Sequence, residues 1–447
     1  VRPNIISMVA LSCFCIGVAA PSGAVTLLDP VFTFNAPTAT TGDQFGSSVT
    51  IFDDKILIGA PQADTNGVSN SGAAYMYDLN TGGLHAVLSQ PNPQVSANFG
   101  YSVSMSADQV AVGAYRANAS GVSSAGVVYV FGTDSGALNY QVSAPAPETS
   151  GYFAQSVALS DEDLVVGAPR HWLEYVGPSG AAFHFAADTG TARGELTNPD
   201  PTGADFFGTS VAVSGGYAVV GAYGDDPDGA ASAGSAYVYD TATGAQVSTL
   251  TSPEPAAYSY FGKSVSLSNG YVLVGAYGAD PGGISSAGAA YVYDAITGAL
   301  VSTLLSPEPE RFDWFGYAVS ISGDYALIGA HRADPYGISN AGAAYVYNIH
   351  DGALLATLTA PDPERSDYFG YAVSLSGTMA LVGAYGADAG YLFDLSHVVQ
   401  SASVVATPIP SGILLLMSGL LAGGYLTRSR QKRDLQARKM GAQDTAL

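Results

Sequence analysis

The chain has 447 residues, 47% of them hydrophobic, which is ample material for buried cores. It carries 37 Asp and Glu against 15 Lys and Arg, a formal charge of −22, and six of those cations (Arg428, Arg430, Lys432, Arg433, Arg438, Lys439) crowd residues 428–447. So acidic a body disfavours a nucleic-acid partner, because phosphate binding needs a basic surface.

In chain order, residues 1–24 read as an export signal. Arg2 gives a small positive start, residues 5–20 form an apolar run too short for a bilayer, and Ser22-Gly23-Ala24 is a small-x-small cleavage site. Both cysteines, Cys13 and Cys15, lie inside it, so the exported chain is expected to use no disulfide. Residues 31–37 (VFTFNAP) are a strand-like piece standing before any complete unit. Then a period begins. Phe45, Phe99, Phe153, Phe207, Phe261, Phe315 and Phe369 recur every 54 residues, and so do Gly59, Gly113, Gly167, Gly221, Gly275, Gly329 and Gly383. A fixed period of this length marks a stacked or circular repeat protein.

The fifth copy shows the unit plainly. Four short runs, a to d, cover Phe261–Ser268, Tyr271–Ala276, residues 289–293 and Leu300–Leu305; all are β-branched or aromatic and bounded by Gly, Pro, Asp and Asn. Four strands per copy and seven copies predict an all-β fold, a seven-bladed β-propeller of four-stranded blades. Run a carries only small residues at one position (Ser48, Ser102, Ser156, Ser210, Ser264, Ala318, Ala372), each followed by valine, which suits the innermost strand where blades converge. The seventh copy has a, b and c but no d. Pro37 lies 54 residues before Pro91, so residues 31–37 match a run d and are expected to complete blade seven. That closure hides sheet edges an open array would expose.

The propeller thus occupies residues 25–395, and residues 396–407 are a linker of small residues. Residues 408–427 are apolar and long enough for a transmembrane helix, and the basic tail at 428–447 favours a cytoplasmic carboxyl end.

Two resemblances follow. The repeated FG…GA signature, intact as Phe45-Gly46 and Gly59-Ala60-Pro61, resembles the FG-GAP repeats of integrin-α-type seven-bladed propellers. Pro408-Ile409-Pro410, an apolar span and a basic cluster resemble a PEP-CTERM-type sorting signal of the Val-Pro-Leu-Pro-Ala variety. That resemblance implies processing by an exosortase at the inner membrane of a Gram-negative bacterium, then delivery to the cell surface or matrix. The integrin resemblance also raises calcium, held in that family by a D-x-D-x-D-G loop between FG and GA. Here those connections are tight turns such as Ser268-Asn269-Gly270, with too few carboxylates for calcium's six to eight oxygens. The family's metal loops are absent, and calcium stays an open alternative only at Asp225, Asp226 and Asp228, where three carboxylates cluster in a b–c loop. Asp64, Asp226, Asp280, Asp334 and Asp388 share one periodic position, and the reading preferred is that each caps its own turn.

In an antiparallel blade the d–a and b–c connections emerge on one face. Here they are long (residues 306–314 and 277–288), so binding residues are expected there, as an acidic crown with interspersed aromatics and a few arginines. The third copy departs on that face. Its loop reads Arg170-His171-Trp172-Leu173-Glu174-Tyr175, with Trp172 where other copies carry Asp or Asn. Arg170, His171, Trp172, Glu174 and Tyr175 form the ligand-binding candidate, since aromatics and arginine dominate binding hot spots; the alternative is a loop that repacked. Trp314 and Tyr368 read as structural plugs. Six scattered histidines and the absence of a nucleophile elbow give no catalytic residue. The expected function is an exported surface or matrix module that recognises an extracellular polysaccharide or surface protein. Alternatives are an enzyme acting on extracellular polysaccharide and a structural, cation-retaining matrix protein.

Overall fold

A computed structural model describes residues 26–37, 42–174 and 176–399. Seven sheets follow one another along the chain, and within each the strands run in the order a-b-c-d. Blade one, for example, is Ser48–Phe52, Lys55–Ala60, Ala73–Asp78 and Leu84–Leu88. Neighbours among strands a to d are antiparallel in every blade; in blade five Val265 faces Val274 and Val274 faces Tyr291. The architecture is the expected all-β, seven-bladed propeller of four-stranded blades.

Buried strands and small residues explain the packing. Strand b of blade five, Tyr271–Ala276, is buried along all but its first residue, as expected of a strand covered on both faces. The cores lie between blades. Leu273, Ala290 and Val292 of blade five pack with Phe315, Val319, Ile321 and Ile328 of blade six. Each Phe of the Phe-Gly pair is at most 1% exposed; Phe261 lies 5.7 Å from Tyr291 and 5.9 Å from Tyr293 of its own blade. Burying one such ring stabilises the fold by about 2–3 kcal/mol. The Gly of Gly-Ala serves close approach: a Cβ at Gly275 would collide with the carbonyl of Gly316 in the next blade, and one at Gly383 with that of Gly46.

The small residue of strand a does more than allow approach. Ser48, Ser102, Ser156, Ser210 and Ser264 donate their hydroxyls to the next blade's carbonyl at Gly100, Ala154, Gly208, Gly262 and Gly316, at 2.7–3.1 Å. The tyrosine near the end of strand c reaches the other way. Tyr293 donates to the Thr251 carbonyl at 2.6 Å and Tyr347 to that of Leu305 at 2.6 Å, tying each blade to the outer strand before it.

The ring closes as the sequence indicates. Strand Phe32–Asn35 pairs antiparallel with Ala389–Asp394 and becomes the outer strand of blade seven. Phe34 joins a core cluster with Phe45, Ile56 and Ile58 of blade one and Leu381 and Leu392 of blade seven. Asp388 accepts the Gly42 and Phe45 backbone N–H groups at 2.8 and 3.2 Å, and Tyr77 donates to the Asn35 carbonyl at 3.1 Å. One element was not foreseen. Thr26–Leu27 pairs in parallel with Leu354–Leu358, making blade six five-stranded. The expected export signal, sorting segment and basic tail lie outside the described residues, as does most of the linker; among the described residues no helix is long and apolar enough to cross a membrane.

Candidate binding site at the channel mouth

Three positions of every copy meet on the long-loop face around the propeller axis: the residue before Phe-Gly, the residue after it, and the residue after Gly-Ala. The first of these (Gln44, Asn98, Tyr152, Phe206, Tyr260, Trp314, Tyr368) has a left-handed backbone, φ 55–59°, in every blade. Bulky residues rarely take that conformation, and such departures gather at functional sites. Their rings knit neighbouring blades. Tyr152 meets Tyr115 of blade two at 5.1 Å, Tyr260 meets Tyr223 of blade four at 5.8 Å, and Trp314 contacts Tyr277 of blade five at 5.1 Å. Tyr368 stacks on Tyr385 at 5.0 Å, and Tyr317 lies 4.4 Å from His331 and 5.3 Å from Tyr371. The result is an aromatic basin.

Two cavities open within it, and between them all seven blades contribute. One, of about 240 Å³, is lined by Gln44, Ser47, Tyr101, Lys263, Tyr317, Tyr371 and Tyr385. The other, of about 260 Å³, is lined by Tyr101, Tyr115, Arg116, Tyr152, Gln155, Pro169, Arg170, Phe206, Thr209 and Tyr223. Tyr101 belongs to both. Neither wall contains a carboxylate.

The charge is positive. Lys263 Nζ lies 5.2 Å from the Tyr223 ring and 5.7 Å from that of Tyr317. Arg116 lies over Tyr115 at 5.2 Å, Arg170 over Tyr152 at 4.9 Å and Arg332 over Trp314 at 3.6 Å. These are cation–π distances. None of the four makes an ion pair among the described residues, whereas Lys55 and Arg193, elsewhere, pair with Asp54 and Asp163. Burial lowers the Lys263 pKa. Burial, with Arg332 beside it, pushes His331 down to about 3, so its ring is neutral at pH 7. Burial raises Tyr317 to about 12 and Tyr371 well above the usual phenol value, so both phenols stay protonated at pH 7. Four polar atoms here, Ser47 Oγ, Thr209 Oγ1, His331 Nδ1 and Arg332 Nε, are buried with no hydrogen-bond partner among the described residues. Buried polar groups are nearly always paired, so such a concentration calls for an explanation.

The structure divides the third-copy candidates. Arg170 belongs to the basin. His171 is tucked against Glu148, its Nδ1 3.3 Å from Oε2, with its ring edge-on to Phe183 at 5.7 Å. Trp172 is 62% exposed on the loop, its backbone N–H bonded to Glu148 at 2.9 Å, and Glu174 is exposed too. Tyr175 lies outside the described residues. Arg116, Lys263 and Arg332 were missed; Trp314 and Tyr368, read as plugs, line neither cavity and pack against Tyr277, Tyr317 and Tyr385 beside them. Comparing equivalent positions across the copies, rather than reading each loop alone, is the signal that exposes them.

The carboxylates around the rim serve their own loops. Asp64, Asp226, Asp280 and Asp334 each accept the backbone N–H six residues on, at 2.6–2.8 Å, as the turn-capping reading expects. Asp388 instead bonds across the ring closure. Asp225 is buried and accepts the Tyr237 hydroxyl; burial raises it to about 7, with Asp205 adding to the rise. Asp228, at φ 54°, is exposed. Asp225, Asp226 and Asp228 thus serve different environments, and among the described residues no group of three or more His, Cys, Asp or Glu is placed to hold a metal.

The FG-GAP repeat family matches residues 33–77, 85–131, 191–239, 245–293, 299–347 and 354–393. The chain belongs to the FG-GAP repeat family. The longest unmatched interval, residues 132–190, holds strands a to c of the divergent third copy. Comparison with curated proteins found no match. Among solved structures, the computationally designed Ika8 protein is similar at 16% identity and a TM-score of 0.48, over 78% of this chain and 83% of that one.

Proposed function

We propose that this FG-GAP propeller is an exported surface or matrix module that binds an extracellular polymer at the aromatic basin, and that it is not an enzyme. What supports this is the gathering of rings and three unpaired cations, Arg116, Arg170 and Lys263, from separate copies at one place in a chain of net charge −22. Aromatic faces stack on sugar rings, and loops held over a rigid scaffold are where binding residues concentrate. Export by residues 1–24, and sorting of an exosortase-processed tail through residues 408–427, belong to the same proposal.

The test is retention of the full-length protein on exopolysaccharide from its own source, with and without calcium. Wild type is expected to be retained in both conditions, and Tyr101→Ala with Tyr317→Ala to be released. Equal retention of the double variant would move the site elsewhere. Shortened polymer chains accumulating with time would make the protein an enzyme.

A further inference from the structure

The two axial cavities hold different cations but share one ring. Lys263 serves the first and Arg116 with Arg170 the second, and Tyr101 forms a wall of both. Each is smaller than the roughly 300–1,000 Å³ of an ordinary small-molecule site, so each suits a single ring rather than a branched ligand. We propose, resting on the binding reading above, that the basin is specific for an acidic polysaccharide and seats two consecutive sugar rings either side of Tyr101, each anionic group facing one cation set.

Two observations besides the charge support this. Thr209 is 8% exposed and lines the second cavity, its Oγ1 unpartnered, and Ser47 Oγ is likewise unpartnered in the first. Such atoms are suited to sugar hydroxyls, which both donate and accept. Tyr101, Tyr317 and Tyr371 are held protonated by burial and present donors, not competing negative charge. Lys263 lines the first cavity with no ion pair among the described residues, and burial lowers its pKa. Guanidinium groups recognise carboxylate and sulfate alike through forked hydrogen bonds.

A neutral glycan would satisfy the rings and leave Arg116, Arg170 and Lys263 unanswered. An acidic peptide would satisfy the charges and leave the flat ring surfaces unused. The acidic rim adds selection of its own, repelling long polyanions that do not insert at the axis.

The experiment measures binding of full-length protein to immobilised polygalacturonate, dextran sulfate, unmodified dextran, methyl-esterified polygalacturonate and polyglutamate at fixed ionic strength. Binding to polygalacturonate or dextran sulfate is expected, and which of the two is tighter names the anion. Dextran and the methyl ester should bind at least tenfold more weakly. Lys263→Met and Arg170→Gln should each reduce binding about tenfold, Lys263→Arg should retain most of it, and melting curves should show all three variants folded. A trimer of galacturonate should compete where the monomer does not. Binding of dextran or the methyl ester as tight as that of the acidic polymers overturns the charge specificity while leaving polymer binding intact. Preference for polyglutamate overturns the sugar. Loss of binding to every polymer removes both this proposal and the reading beneath it.

Discussion

The rim and the axis of this propeller use charge in opposite ways. At the rim, carboxylates abound and nearly every one traced has a structural partner. Asp205, fully buried, accepts bonds from Ser179 Oγ, Asn198 Nδ2, the Thr202 N–H and the Thr202 hydroxyl. Asp313 and Asp367, at the equivalent positions in blades six and seven, accept the N–H of Glu310 and Glu364 at 2.7 and 2.6 Å. At the axis, cations are few and none is paired within the protein among the described residues. The acidity of the chain is therefore largely loop architecture. The rare positive charge is what remains available to a ligand.

Substitutions sharpen that contrast, beginning with the rim. Asp205→Ala leaves four donors facing an empty site and should cost about 3 kcal/mol in urea unfolding; a loss below about 0.5 kcal/mol would deny it a structural role. Asp225 differs, because equivalent positions elsewhere carry alanine (Ala63, Ala117, Ala279, Ala333). Its folded pKa, about 7, lies above the unfolded value near 3.8, so between those values the folded state holds the proton more tightly. Stability from this group is present below pH 4 and is lost as pH rises through 7, by on the order of 2 kcal/mol. Asp225→Ala should flatten that decline, and parallel pH profiles for variant and wild type would sink the assignment. Asp280→Ala, removing an exposed cap, should cost about 1 kcal/mol. Smallest is Lys263→Met. It removes an unpaired charge from a confined site and should leave the melting temperature unchanged or raised, while polymer binding falls. A clear drop in melting temperature would mean that Lys263 is structural after all.

The architecture was legible because a propeller repeats its local signals. Every copy shows the periodic Phe and Gly-Ala at one spacing, six of them carry all four short apolar runs, and the unpaired run at residues 31–37 had only one vacant place. Thr26–Leu27 could not be seen, since two residues carry no periodicity and their pairing is made by backbone. The basin was hidden for another reason. The residue following Phe-Gly is Ser47, Tyr101, Gln155, Thr209, Lys263, Tyr317 or Tyr371, each unremarkable in its own loop. Only closure of the ring makes residues separated by multiples of the repeat into one surface. The loop that looks unusual by itself contributes Arg170 alone to the axis among its described residues. Buried polar replacements in blade three were missed too: His184 Nε2 lies 2.7 Å from Asp163, which also pairs with Arg193, where other blades carry apolar residues such as Met76 and Val292.

The chain has two tryptophans, and they report on the two rival sites: Trp314 in the basin against Arg332, and Trp172 exposed on the third-copy loop. In full-length protein bearing Trp172→Phe, fluorescence during titration with oligogalacturonate reads Trp314 alone. A saturable change in emission that Lys263→Met weakens about tenfold is the predicted result. Constant emission from Trp314, with a saturable response from Trp172 in the Trp314→Phe protein, would place the ligand on the loop and contradict the basin.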